Sequence, residues 1–412
     1  MALNYIWIGF FLIAFLVAFV RFIVTGDADI FKTVIDSTFS SSRSAVMDIA
    51  LPLTGVMVLW LGLMNIGERA GAVNFLARIA GPFFERLFPE LPRKSPVFGQ
   101  MLMNFSANML GLDNAATPLG LKAMQGLQEE NHQKDTASNA QIMFLAINTS
   151  GLTIVPVSIL AQRAILGAAN PADIFIPVLI ATTISTLAAI IVVALRQRIN
   201  LFDPVLASWI GGIIATIGAL TWWMGSLDRE HLELVSKVGS NMLLALVIGA
   251  FIAGAVFKKV NVYEAFIDGA KNGFEVTVKI IPYLVAMLVG IAVFRASGAM
   301  GYIIDGLAWV FGAMGLDTDF VAALPTAFMK PLSGSGSRAM MVEAMQHYGA
   351  DSFVGRLSCL FQGSTDTTFY IIALYFGSAG IRKTRYAVGA GLVSDLTGII
   401  AAIVLAYIFF HH

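Results

Sequence analysis

Cysteine is almost missing from this sequence. Cys359 is the single one in 412 residues, which excludes an internal disulfide and any thiolate metal cluster drawn from one chain. Charge is scarce as well: charged residues make up 13%, against about 25% in ordinary soluble domains. The 26 basic and 26 acidic residues cancel, so there is no electrostatic case for nucleic acid as a partner. No Ser-His pairing, paired glycyl-aspartate motif or zinc-ligand spacing occurs, so neither an enzyme nor a resident cofactor is expected. The opening stretch MALNYIWIGFFLIAFLVAFVRF lacks a basic n-region, and its apolar run is too long for a signal core. An uncleaved first span is therefore expected.

What the chain has in abundance is apolar sequence. Hydrophobic residues reach 57% with a mean hydropathy of +0.78, which places the chain among all-α polytopic membrane proteins. Spans of crossing length read as Tyr5–Val24, Ile49–Ile66, Ala140–Leu166, Ile174–Leu195, Val205–Met224, Met242–Phe257, Ile280–Phe294, Phe353–Phe376 and Ala387–Phe410. Between them lie charged amphipathic stretches expected at the membrane surface: Asp27–Asp48, Ala72–Phe88, Tyr263–Phe274 and Met300–Met314. Trp222 and Trp223 close one span as interfacial anchors.

Two passages break the apolar pattern. NFSANMLGLDNAATPLGLKAMQ, from Asn104 to Gln125, carries amides, an aspartate, glycines and a proline. Such a load is tolerated at membrane depth only where polar groups have partners or line a cavity. Its turn residues predict a re-entrant hairpin within Pro96–Gln125. KPLSGSGSRAMMVEAMQ, Lys330 to Gln346, predicts a second hairpin within Phe320–Gln346, its tip at Ser333-Gly334-Ser335-Gly336-Ser337. Asn148-Thr149-Ser150 before Pro156, and Gln362-Gly363-Ser364-Thr365-Asp366-Thr367, sit inside spans and predict two broken helices.

These features repeat. Gly71-Ala72 matches Gly298-Ala299 at an offset of 298−71=227, Ala123-Met124-Gln125 matches Ala344-Met345-Gln346 at 345−124=221, and Leu145 matches Leu360 at 360−145=215. The order of elements is kept, which indicates an internal repeat. Residues 1–200 form the first repeat, 201–237 a linking helix and loop, and 238–412 the second. Each repeat has four crossings and the linking helix adds one, so the repeats are inverted. Arg78, Arg86, Arg93, Lys94, Lys122, Lys134, Arg196 and Arg198, with Lys258, Lys259, Lys271, Arg382, Lys383 and Arg385, then share one side with the N-terminus, expected to be cytoplasmic in a cell membrane.

LGLMNIGERAG, NFSANMLGLDNAATPLGLKAMQ and FLAINTSGLTIVP in the first half resemble spore maturation protein A. PYLVAMLVGIAVFRASGAM, KPLSGSGSRAM, FVGRLSCLFQGSTDTTFY and YFGSAGIRK in the second half resemble spore maturation protein B. The chain thus resembles a fusion of two members of the nucleoside-recognition, or Gate, domain group, which also supplies the membrane core of the ferrous iron transporter B. The resemblance extends to concentrative nucleoside transporters. It implies inverted repeats, each with a re-entrant hairpin, an interfacial helix and a broken helix.

The expected function is that of a secondary transporter binding a small polar solute at the midplane. The rival is a non-transporting scaffold or assembly factor for the envelope or spore. Candidate ligand contacts are Asn104, Asn108, Asp113, Asn114 and Thr117 on the first hairpin, and Ser333, Ser335, Ser337 and Arg338 on the second. Asn148, Thr149, Ser150, Gln362, Ser364, Thr365, Asp366 and Thr367 belong to the breaks. Each has a structural alternative: the amides as helix-packing bonds, the hydroxyls as back-bonds within their helices, Lys330 and Arg338 as snorkelling cations. The cationic second hairpin points to an acidic or nucleotide-like solute, and the family resemblance to a neutral nucleoside. The oxygen donors suit Na+ as coupling ion, while Asp113 or Asp366 would suit H+. Cys359 reads as apolar filler, with a soft-metal ligand as its rival. Glu68 and Arg69 read as an interfacial ion pair. Moving halves need a static frame, so a homo-oligomer is expected in the bilayer.

Overall fold

The computed structural model describes residues 2–92, 95–111, 113–227 and 229–411. Helices dominate throughout, and the described residues hold no β-strand, only an isolated bridge between Thr136 and Lys383. Helix α1, Ala2–Thr25, is the first apolar span. Helix α2, Ile30–Ser44, runs through a π-helical turn, Ala45–Ala50, into α3, Leu51–Arg69, as one 40-residue helix, Ile30–Arg69.

That continuity corrects the expected surface helix at Asp27–Asp48. Its charged positions Lys32, Asp36, Arg43 and Asp48 all sit on the exposed side, so charge alone did not end the helix. The π turn lies just before Pro52, whose missing N–H and bulky ring a wider turn accommodates. Tyr263–Phe274 is corrected in the same way. It forms the first half of a 35-residue helix, Val262–Ala296.

After α3 come α4, Ala72–Leu87, then the hairpin α5, Pro96–Met109, and α6, Asp113–Glu129. The first broken helix is α7, Asn139–Ser150, plus α8, Val157–Ile165. Helix α9, Phe175–Gln197, ends the first repeat, and α10, Pro204–Gly225, links the repeats with Trp222 and Trp223 exposed at its end. The second repeat runs α11, Arg229–Phe257; α12, Val262–Ala296; α13, Ala299–Ala313; hairpin α14, Leu324–Met329, and α15, Gly334–Tyr348; broken helix α16, Phe353–Ser364, and α17, Thr368–Ser378; and α18, Ala387–Phe410.

Six of these helices are long and apolar enough to cross a membrane, and α12 with α13 forms a further pair bent by 72°. This is a multi-pass membrane protein.

The repeat seen in the sequence recurs in the bonding. Gly71 and Gly298 both turn the chain through left-handed backbone, φ 86° and 93°, before α4 and α13, a conformation only glycine adopts without cost. Helices α7 and α16 are both 12 residues long, and Ser138 and Ser352 cap them by accepting from the backbone N–H three residues on. In the first hairpin Asn104 Nδ2 donates across the arms to Ala116 O (2.8 Å), and in the second Ser337 Oγ donates to Thr326 O (2.9 Å). Those pairs are related by 326−104=222 and 337−116=221, the hairpin offset read from the sequence.

Each hairpin tip is then tied to the broken helix of its own repeat, by Ile154 N to Met109 O (2.6 Å) and by Phe369 N to Pro331 O (3.0 Å). The two breaks meet each other through Asp366 N to Thr149 O (2.9 Å).

The outer ends of the broken helices are clasped as well. On one face, Arg163 at the end of α8 is fully buried and bonds Ala350 O, Asp351 and Asp173, while Arg356 also holds Asp173. On the other, Asp135 before α7 accepts at its backbone from Arg382 N and Lys383 N and pairs with the Lys383 ammonium at 3.0 Å. The long helices α3 and α12 run antiparallel in close contact. A Cβ at Gly269 would lie 2.4 Å from Leu61 O, and one at Gly273 2.7 Å from Val58 Cα, so those positions take no side chain.

Candidate functional site: a cavity between two hairpins and two helix breaks

Where both hairpins and both breaks converge there is a cavity of about 420 Å³, within the ~300–1,000 Å³ range of small-molecule sites. One wall is α3 and α12, with Asn65, Glu68, Gly269 and Asn272. The opposite wall is Asn108 and Gly111 of the first hairpin, Thr153 and Ser158 of the first break, and Gln362, Thr365 and Asp366 of the second. Lys330 and Arg338 of the second hairpin complete it. The lining thus offers amides, hydroxyls, two cations and two carboxylates on an otherwise apolar protein.

Five of the candidate residues line this cavity: Asn108, Arg338, Gln362, Thr365 and Asp366. Asn108 lines the cavity while its Nδ2 donates to Asn148 Oδ1 (2.9 Å). Gln362 is buried, and its Oε1 has no hydrogen-bond partner among the described residues. A buried amide oxygen without a donor is costly unless a ligand or water supplies one. Asp366 is anchored at both ends, its N–H on Thr149 O and its Oδ1 accepting from Thr367 N (2.6 Å).

The other candidates have structural bonds. Asn104 joins the hairpin arms and reaches Tyr375 Oη (3.4 Å). Asn148 donates to Phe144 O and accepts from Tyr375 Oη. Thr149, Ser150 and Ser364 bond back to Ala146 O, Ile147 O and Phe361 O of their own helices. Ser333 caps α15 by accepting from Gly336 N, Ser335 sits against Ser333, and Ser337 bridges the hairpin arms. Thr117 and Thr367 lie outside the cavity lining. The side chains of Asp113 and Asn114 lie outside the described residues.

Two expectations and one structural alternative change. The tip of the second hairpin is Lys330–Ser333, and Gly334 to Arg338 form the first turn and a half of α15; a serine cap followed by residues that can adopt helical angles favours a helix start over an open loop. Arg69 pairs with Asp268 (2.8 Å) and not with Glu68, which turns to the cavity. Lys330 is only 6% exposed, and both it and Arg338 face the cavity instead of snorkelling outward. Asn65 and Asn272 were missed, and Glu68 was read as an ion-pair partner. The two amides lie on long helices, and the signal that could have found them is the Gly62, Gly269 and Gly273 contact that holds α3 against α12. Cys359 is buried with its sulfur 3.5 Å from Met345 Sδ, as filler would be.

Paired hairpins and broken helices enclosing a polar cavity at the meeting point of two related halves define the class: an all-α, multi-pass membrane protein built on an internal repeat. The Nucleoside recognition (Gate) family matches residues 50–166 and 277–382, more than half the chain, and the chain belongs to that family. Both matched segments run from a long helix through the hairpin into the broken helix.

Among curated relatives, Spore maturation protein B of Bacillus subtilis (strain 168) is 41% identical over 179 residues, 43% of this chain and 98% of that protein. Spore maturation protein A of the same organism is 41% identical over 157 residues, 38% of this chain and 80% of that protein. The two likenesses fall on different parts of the chain, as a joined pair would. No solved structure matches.

Proposed function

We propose that this protein is a secondary-transporter-like membrane protein that binds a small polar metabolite bearing an acidic group in the cavity between its hairpins. The observation that carries this reading is that Lys330 and Arg338 reach the same cavity as Asn108 and the unpartnered Gln362 oxygen. A carboxylate or phosphate would meet the cations, and a neutral hydrogen-bonding part would meet the amides. Glu68 and Asp366 leave room for a group of opposite sign, as in an amino acid or amino sugar derivative.

Counting each broken helix as one crossing gives nine crossings, and the basic loops set the N-terminus on the cytoplasmic side of the cell membrane. The protein works as a homo-oligomer whose interface supplies the fixed frame; mass photometry in mild detergent showing only monomer at every concentration would contradict this. Uptake is coupled to Na+ or H+, separable by imposing a sodium gradient at constant pH.

The test is accumulation of labelled metabolites by purified protein in liposomes, with acidic metabolites taken up and uptake reduced in Arg338→Gln. Inertness across a broad panel, together with a dedicated protein partner trapped by crosslinking, would favour the scaffold reading.

A further inference from the structure

Helix α18 carries a carboxylate that neither the cavity nor any ion pair described above uses. Asp395 is 2% exposed, and neither of its oxygens has a hydrogen-bond partner among the described residues. It lies on the α18 face formed by Gly391, Asp395 and Gly398, which are spaced as helix neighbours. That face is pressed onto the second helix break. A Cβ at 391 would sit 2.5 Å from Thr368 Cγ2 and one at 398 would sit 2.8 Å from Thr365 Cγ2.

The carboxylate is therefore set beside the hydroxyls of Thr365 and Thr368, and Thr368 Oγ1 is itself buried without a partner. The charged groups whose fields reach it are Lys330 on the second hairpin, which attracts, and Asp366 in the break, which repels.

The first repeat shows what this position does when it is neutral. Thr182 on α9 stands at the corresponding place, 395−182=213, close to the 364−150=214 that relates the helix ends. There Thr182 Oγ1 donates to Gly151 O at the first break (3.1 Å). A carboxylate cannot donate to a break carbonyl, and a buried ionised carboxylate that faces only two hydroxyls is disfavoured in a membrane interior. The second break thus holds a buried carboxylate among oxygen donors, a setting suited to a bound monovalent cation.

We propose that Asp395, with the Thr365 and Thr368 hydroxyls, forms a binding site for one monovalent cation, either Na+ or a proton on the carboxyl, at the second helix break. The hard-oxygen donors match both. Because Thr365 lines the cavity and its neighbour Asp366 bonds the first break, filling the site stiffens the wall that faces the solute. The inference extends the transporter reading by naming where a coupling ion binds.

The test needs no solute, so its failure would leave that reading standing. Thermal unfolding of the full-length protein in detergent is followed by tryptophan fluorescence in NaCl against choline chloride at fixed pH, and in choline chloride across a pH series. A rise of several degrees with NaCl in wild type, lost in Asp395→Asn and in Asp395→Thr, identifies Na+. No response to NaCl, but a pH-dependent step in stability that both variants lose, identifies the proton. Asp395→Thr copies the first repeat's own solution and guards against misfolding of the amide variant. Wild type that responds to neither sodium nor pH, or variants that keep the full response, overturns the proposal.

Discussion

Removing Arg163 should unfasten the two broken helices at one membrane face. Its guanidinium is fully buried and serves five acceptors: Ala350 O (2.6 Å), Pro171 O (3.3 Å), Asn170 O (3.3 Å), Asp351 (3.0 Å) and Asp173 (2.8 Å). In Arg163→Ala the carboxylates are partly spared, because Asp173 keeps Arg356 (2.8 Å) and the Asp351 side chain is 36% exposed. The carbonyls lose their donor inside protein, and a cavity remains. Taken with the cost of opening a buried charge network, the expected loss is about 3–5 kcal/mol.

In a chain of this size that corresponds to a fall in the unfolding midpoint on the order of 5 °C, read at one fixed scan rate because unfolding in detergent is commonly irreversible. Arg163→Lys should recover only part, since an ammonium cannot span the planar set of acceptors. The matched control is Lys383→Ala, where the pair with Asp135 is exposed at 70% and 54%, so its loss loosens the chain locally and no measurable change in the melting midpoint is expected. If Arg163→Ala melts within about 1 °C of wild type, or if Lys383→Ala loses as much, the clasp is not what holds these ends together.

Gly269→Ala should destabilise by ~1–3 kcal/mol because its methyl has no room against Leu61 O. Gly249→Ala, with nothing within 4 Å, should be neutral or slightly stabilising in the same melting assay. Asn104→Ala should cost ~1–2 kcal/mol by leaving Ala116 O without its cross-arm donor, and Ser337→Ala, which strips the equivalent bond to Thr326 O, should behave alike. Asp135 is held below the usual carboxylate range by its bond to Lys383. The support from that bond is therefore complete above about pH 4, the unfolded value, and is lost as pH falls further through the folded value. Hydrogen exchange should show protection at the Ala137 and Lys383 amides falling in acid, and Asp135→Asn should remove the pH dependence.

Much of this architecture was legible because its interruptions are chemical. Asn148-Thr149-Ser150 with Pro156 and Gly363-Ser364-Thr365 with Asp366 marked the two breaks, and the offsets of 221 and 215 reappear as pairs of equivalent hydrogen bonds. What escaped was the length of two helices. Charges at Asp36 and Asp268 looked like surface boundaries, yet a helix keeps its backbone bonds while it carries charges on an exposed face.

Site residues separated along the same line. Asn108 and Gln362 were visible as amides in broken or re-entrant segments, whereas Thr149 and Ser150 in the same triplet spend their hydroxyls on their own helix. Asn65 and Asn272 have no local signature at all. They reach the cavity only because glycines at 62, 269 and 273 let two distant spans touch. Asp395 was equally quiet in the sequence, one acid in a clean apolar span, and becomes conspicuous only against its counterpart Thr182.

The central claim is that the cavity recognises an acidic solute through the second hairpin, and ligand-induced stabilisation of the purified protein tests it most directly. Wild type and Arg338→Gln are melted with a panel of carboxylated and phosphorylated metabolites beside neutral nucleosides. Acidic ligands are predicted to stabilise wild type, with affinity reduced about 10–100-fold in Arg338→Gln, as expected for one charge-assisted bond. Stabilisation by neutral nucleosides alone, unchanged in Arg338→Gln, would contradict the account.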